Sequence, residues 1–167
     1  GIKVNFNNEE ILECNKLCCM SFNVNKFYNS ILGQNNLEII IDYLNNSNCD
    51  IICLQEVNFD IFNLVKHKYK NIIEHEGQVI LTNHKVSNVE IFEHPRMEYR
   101  KQIYTPLITI TIMMNNKEID IVIGNMHFNN DFLLYEQHEN LNDLLEKLEN
   151  DDKKMILMGN TNIPTLK

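Results

Sequence analysis

The chain has 167 residues, with 15 Lys+Arg against 23 Asp+Glu and a formal net charge of -8. Its length fits one domain with a sizeable core, and 44% hydrophobic with 23% charged residues excludes disorder, collagen and coiled coil as its organisation. The acidity argues against a general nucleic-acid coat, because phosphate binding is driven by Lys and Arg, so any nucleic-acid contact must be local.

The polar, Asn-rich stretch from Gly1 to Leu12 reads as a short helix or a frayed lead-in, and residues 1–15 are set apart from a single domain over 16–167. Leu17 to Val24 is an apolar run, expected to be a buried strand. Leu37, Ile40, Ile41 and Leu44 recur at helical spacing, so Asn36 to Leu44 reads as a helix, ended by Asn45-Asn46-Ser47-Asn48. Asp50 to Gln55 is a second buried strand that runs into Glu56. Phe59, Phe62, Leu64 and Val65 suggest a helix, followed by short strands at Tyr69–Ile73 and Gln78–Thr82 with a turn at Gly77. Val86–Phe92 is a strand, and the loop from Glu93 to Lys101 carries Arg96, Arg100 and Lys101. Thr105–Met114 and Glu118–Gly124 flank Asn115-Asn116 as a hairpin. Leu133–Glu149 reads as an amphipathic helix with Leu134, His138, Leu141, Leu145 and Leu148 near one face, and Met155–Met158 as a last short strand.

The counts include 27 Asn and 22 Ile but no Ala or Trp, a bias that fits an AT-rich genome. The Asn residues are scattered among apolar segments, unlike a prion-like tract. Five Cys, an odd number, argue against a disulfide framework. The spacing Cys14-x3-Cys18 with Cys49-x3-Cys53 would suit zinc, but Cys18, Cys19 and Cys53 sit inside apolar runs that read as strands, so the preferred reading is small buried hydrophobes. There is no basic-then-apolar leader in the first twenty residues and no apolar run of about 18 residues. The expectation is a protein of a reducing intracellular compartment, cytoplasm or nucleus, without a membrane partner.

Polar residues collect just after strand C-termini, at Asn23, Glu56, His127 and Asn162, which is where α/β sheets place their sites. Taken one at a time, each has a bland reading. Asn23 and Asn162 are ordinary turn formers, Glu56 a solvated strand-end carboxylate, His127 a hydrogen-bonded interior histidine, and the basic loop a solvated face. Their order changes the weighing. Ser21-Phe22-Asn23, Leu54-Gln55-Glu56, Asn125-Met126-His127-Phe128 and Gly159-Asn160-Thr161-Asn162 each follow a predicted strand.

This ordered set resembles the endonuclease/exonuclease/phosphatase superfamily, and within it is most similar to the tyrosyl-DNA phosphodiesterase group. The signatures there read T-W-N, L-Q-E, G-D-x-N and S-D-H. The resemblance covers about Lys16 to Ile163. It implies an α/β fold, a two-sheet β-sandwich flanked by helices, and a Mg²⁺- or Mn²⁺-dependent phosphodiesterase acting on a nucleic-acid phosphodiester, with a 5′-tyrosyl-DNA linkage as a candidate. It implies Glu56 and Asn23 as metal residues, His127, Asn160 and Asn162 as catalytic residues, and Arg100 and Asn125 as substrate-binding residues. The chemistry is coherent: Mg²⁺ prefers carboxylate with waters completing its octahedron, and a histidine N–H can stabilise charge on a non-bridging phosphate oxygen.

Two departures weaken the expected activity. Asn160 stands where the signature has Asp, and an amide neither accepts a proton at neutral pH nor supplies a full negative charge. The S-D-H segment has no counterpart in Pro164-Thr165-Leu166-Lys167. The fold is then expected to be incomplete at its C-terminus, with sheet edges to be covered by a second copy or another chain. The alternative function is a catalytically inactive relative that binds nucleic acid or protein.

Overall fold

β-branched residues dominate the strands, and their two-residue period sorts side chains into layers. The computed structural model describes residues 1–24, 28–29, 34–95, 102–128 and 134–160, with backbone alone for 28–29, 34–35 and 134–135. Eleven strands and three helices appear among them. In chain order they are β1 (Lys3–Phe6), β2 (Cys19–Asn23), β3 (Tyr28–Asn29), β4 (Gln34–Asn35), α1 (Leu37–Asn46), β5 (Ile51–Gln55) and α2 (Phe62–Val65). Then come β6 (Asn71–His75), β7 (Gln78–Thr82), β8 (Lys85–Glu93), β9 (Tyr104–Met114), β10 (Lys117–His127), α3 (Leu134–Asn150) and β11 (Lys154–Asn160).

Two mixed sheets form, with helices outside them. One has the order β1-β6-β7-β5-β2, the other β11-β10-β9-β8, and β3 and β4 make a small separate hairpin. Each large sheet is antiparallel except for one pair at its end: β2 with β5, and β10 with β11. These two parallel pairs pack against each other, β11 lying over β2 and β5.

The layer between the sheets is filled by Ile51, Cys53, Ile73, Ile80, Ile108 and Ile110. Burial of each such isoleucine contributes about 1.5–3 kcal/mol. On the outer face of the first sheet, Ile52, Leu54, Ile72 and Leu81 meet Leu44 of α1 and Val65 of α2. On the outer face of the second, Leu107, Val122 and Met126 meet Leu144 and Leu148 of α3. Gly124 makes that fit possible, since a Cβ there would lie 2.6 Å from Leu157 Cδ2.

The tight turns follow residue chemistry. Glu76-Gly77 and Asn115-Asn116 join their strands with positive φ at both positions, the conformation that two-residue hairpins require and that Gly and Asn adopt most readily.

Several expectations are corrected. The 1–15 lead-in is neither helical nor frayed: Lys3–Phe6 is strand β1, antiparallel to β6. A buried Asn71 explains it. Its Oδ1 accepts from Asn7 N–H and Asn8 N–H, both at 3.0 Å, and its Nδ2 donates to Asn8 O at 2.9 Å and His84 O at 2.7 Å. One side chain thus satisfies backbone groups that would otherwise need water. The segment Phe59–Val65 is helical only over Phe62–Val65, because Asp60 Oδ1 accepts from Phe62 N–H at 3.0 Å and starts the turn there. In α3 the inward stripe is Gln137, Leu141, Leu144 and Leu148, and His138 faces solvent. Counting only apolar residues missed that Gln137 and Asn140 are buried. Among the described residues no helix is long and apolar enough to cross a membrane.

Candidate functional site

Parallel pairing brings strand C-termini together. In the first sheet Asn23 is opposite Gln55, so the chain leaves β5 at Glu56 beside Asn23. In the second sheet His127 is opposite Asn160. Because the two pairs are stacked, both exits open at one rim of the sandwich. There Asn23 Nδ2 donates a hydrogen bond to Glu56 Oε2. His127 Nε2 approaches the same oxygen at 3.9 Å, and the Glu56 and His127 side chains are each 28% exposed, within reach of a ligand.

The backbone aims the Glu56 carboxylate. Glu56 has φ 61°, a left-handed conformation that costs a residue with Cβ about 1–2 kcal/mol. Flanking bonds hold it: Val24 N–H donates to Gln55 O at 3.1 Å, and Val57 N–H to Gly77 O at 3.0 Å. Gly77 is needed for that approach, since a Cβ on it would lie 3.0 Å from Val57 O.

One layer beneath the rim lies a polar girder. Asn125, with 0% exposure, accepts at Oδ1 from Gln55 Nε2 at 2.8 Å. Its Nδ2 donates to Leu54 O at 2.8 Å and Val79 O at 2.9 Å. Gln55 Nε2 also reaches Ser21 Oγ at 3.1 Å, and Gln78 Nε2 donates to Asn125 O at 2.8 Å. The substrate-binding role expected for Asn125 therefore gives way to a supporting one. Both its amide hydrogens are used inside the core, and strand alternation places it below His127 rather than at the surface. Asn125→Ala is expected to cost about 2–4 kcal/mol of folding stability, because Leu54 O, Val79 O and Gln55 lose their partner in a buried layer. A urea melt with the midpoint unchanged would refute the girder.

The end of β11 is built around a glycine. Gly159 has φ 137°, and a Cβ there would lie 1.9 Å from Met126 O. Asn160 follows, half-buried, its carbonyl accepting Phe128 N–H at 2.9 Å. Of the expected site residues, the structure thus brings Asn23, Glu56, His127 and Asn160 to the rim and Asn125 just beneath. Arg100 and Asn162, with Arg96 and Lys101, lie outside the described residues. Sequence reading missed the structural work of Gln55, Gln78 and Gly77. Gln55 was visible as the middle letter of L-Q-E, whereas nothing in the sequence marked Gln78.

The donor set at the rim, one carboxylate among neutral amides, suits a hard cation that keeps several of its waters. A second cluster lies at the other end of β5, about 20 Å from Glu56 at strand rise per residue. Cys14, Asp50 and His84 have ligand-capable atoms within 4.8 Å of one another, the only such group of three His, Cys, Asp or Glu among the described residues. His84 Nε2 is 3.0 Å from Asp50 Oδ1. Its thiol and imidazole are softer donors than Mg²⁺ prefers. The Cys spacing that would suit zinc does not assemble among the described residues, in line with the preferred reading: Cys14 joins this cluster, Cys18 faces Cys49, and Cys53 is buried among isoleucines, where desolvation pushes its thiol far up.

A model of the Endonuclease/Exonuclease/phosphatase family matches residues 20–165, and the chain belongs to that family. Solved structures share its fold. A functionally unknown conserved protein from Enterococcus faecalis V583 superposes with TM-score 0.66 at 16% identity, over 87% of this chain and 66% of that one. The human nocturnin catalytic domain with bound sulfate anion gives 0.62 at 18% identity, over 89% and 64%. TDP2 from Caenorhabditis elegans gives 0.65 at 11% identity, over 89% and 48%. The chain spans about two thirds or less of these three proteins. No curated protein matches it by sequence.

Proposed function

We propose that this chain carries the site of a divalent-cation-dependent phosphodiesterase whose target is a nucleic-acid phosphodiester, a 5′-tyrosyl-DNA linkage being the first substrate to try. The observation that supports this reading is the convergence of Asn23, Glu56, His127 and Asn160, from four strands and both sheets, on one accessible rim. Glu56 and Asn23 would hold Mg²⁺ or Mn²⁺. A bound cation supplies neutralisation of the charge that builds on a phosphodiester as it is attacked. Asn23 fixes the Glu56 carboxylate by hydrogen bonding to one of its oxygens. His127 would donate from Nε2 to a non-bridging phosphate oxygen. Asn162 would hold the scissile phosphate, and Arg100, with Arg96 and Lys101, would supply the local positive charge that a chain of net -8 otherwise lacks. Asn160 attenuates turnover, since its amide cannot take a proton from the attacking water.

A second reading, a catalytically silent relative that binds nucleic acid or protein, is favoured by that same Asn160. One experiment separates them. The chain is incubated with Mg²⁺ and a panel of 5′-tyrosyl and plain DNA phosphodiesters. Slow cleavage is expected, abolished by chelator and reduced at least about 10²-fold in Glu56→Gln, as befits loss of an electrostatic stabiliser. No cleavage of any substrate by either the chain or a folded Asn160→Asp variant sinks the phosphodiesterase reading and leaves the binding module.

A further inference from the structure

Cys18 and Cys49 are 31 positions apart in sequence, yet their Sγ atoms lie 3.1 Å from each other. Both thiols are free, Cys18 exposed and Cys49 half-buried, so a reagent in solution reaches the pair. The backbone on either side is pinned. Cys18 O accepts from Asp50 N–H at 2.8 Å and Ile51 N–H at 3.2 Å, and Cys18 N–H donates to Asp50 Oδ2 at 2.7 Å. Closing the gap to a disulfide bond of about 2.05 Å asks for roughly 1 Å of movement, within reach of side-chain torsions. The other three cysteines are not placed for this. Cys14 and Cys53 are buried, and Cys19 packs into the layer between the sheets.

We propose that Cys18 and Cys49 form a site of oxidative modification, in which exchange with a low-molecular-weight disulfide closes an intramolecular Cys18–Cys49 bond that clamps the start of β2 to the start of β5. The Cys18 thiolate attacks one sulfur of the small disulfide, breaking its S–S bond and releasing one thiolate. The Cys49 thiolate then attacks Cys18 Sγ and expels the second. Each cysteine has lost its hydrogen, one protein S–S bond has formed, and the reagent has taken up two electrons and two protons as two thiols. The hydrogen bond with Cys49, helped by the nearby Asp50 carboxylate, holds the Cys18 thiol above its ordinary pKa. The exchange is therefore slow at neutral pH, without being less favourable at equilibrium.

The bond would close a loop containing β2, the small hairpin and α1. Asn23 lies at the other end of β2 and Glu56 just past the other end of β5, so the clamp fixes the register of the strands that carry them. Restricting a loop of this length in the unfolded chain favours the folded state.

The test uses the whole chain equilibrated with glutathione and glutathione disulfide, then alkylated, peptide-mapped and melted. The expected result is a linked peptide joining Cys18 to Cys49, with Cys14 and Cys53 recovered as free thiols. Tm should rise on the order of 5–10 °C, reversed by dithiothreitol. Cys18→Ser and Cys49→Ser each remove the link and the rise. A stable glutathione adduct on Cys18, a link between two chains, a different intrachain pair, or closure without a rise in Tm would overturn the proposal.

Discussion

Asn160→Asp is expected to raise divalent-dependent phosphodiester hydrolysis by about 10²–10⁴-fold, the range that a positioned general base contributes. The substitution changes one atom group at the end of β11 and keeps the side chain's size and shape. Asn160 stays opposite His127 in the parallel register, and its carbonyl still accepts Phe128 N–H. The new carboxylate gives the rim a second negative charge beside Glu56, suited to a hard cation, and a group able to accept a proton from water. The measurement is turnover of a 5′-tyrosyl oligonucleotide against Mg²⁺ concentration for both proteins. A variant that stays folded, binds Mg²⁺ and hydrolyses nothing faster would show that residue 160 does not limit the chemistry.

The second large effect lies one residue earlier. Gly159→Ala should destabilise the fold by about 3–5 kcal/mol, in the upper tail of single substitutions. Two independent penalties combine. At φ 137° a residue with Cβ is in a region that L side chains rarely adopt. The added Cβ would also meet Met126 O at 1.9 Å and Met126 C and N at 2.7 Å, all backbone atoms of a central strand. Relief requires β10 and β11 to part, and with them His127 and Asn160. A chemical melt should show the midpoint falling sharply, and a midpoint within experimental error of the parent would mean that the strand end relaxes freely. The glycine of this motif thus serves strand approach, whatever chemistry the following residue supplies.

The sandwich was readable because its strands are written in apolar and β-branched runs with clear turns. Leu17–Val24, Asp50–Gln55 and the hairpin about Asn115-Asn116 all reappear as β2, β5 and the β9–β10 pair. Strand β1 was not readable, since its partner lies far along the chain, Lys3 opposite Glu74 and Phe6 opposite Asn71, and its anchor is Asn71, one asparagine among many. The rim residues were legible because each ends or directly follows a strand, and parallel pairing turns that sequence fact into a spatial one. What escaped was the third dimension. Asn125 and His127 share a strand face two residues apart, and only the packed sheets decide that one is interior support and the other reaches the rim. The cysteines divide: Cys14 and Cys53 are buried hydrophobes as read, whereas Cys18 is exposed beside Cys49, a meeting that no spacing along the chain shows.

The Gln55–Asn125 bond has a wider meaning. Glu56 and His127 belong to different sheets, so the distance between them measures how far apart the sheets stand. The amide bridge directly below spans that same interval with a fixed length. It works as a spacer bar, and on the function proposed above, substitutions in this buried layer would retune the grip on a cation or phosphate without altering any rim residue. On that reading, drift in the interior is a route by which ligand preference would change while the rim keeps its residues.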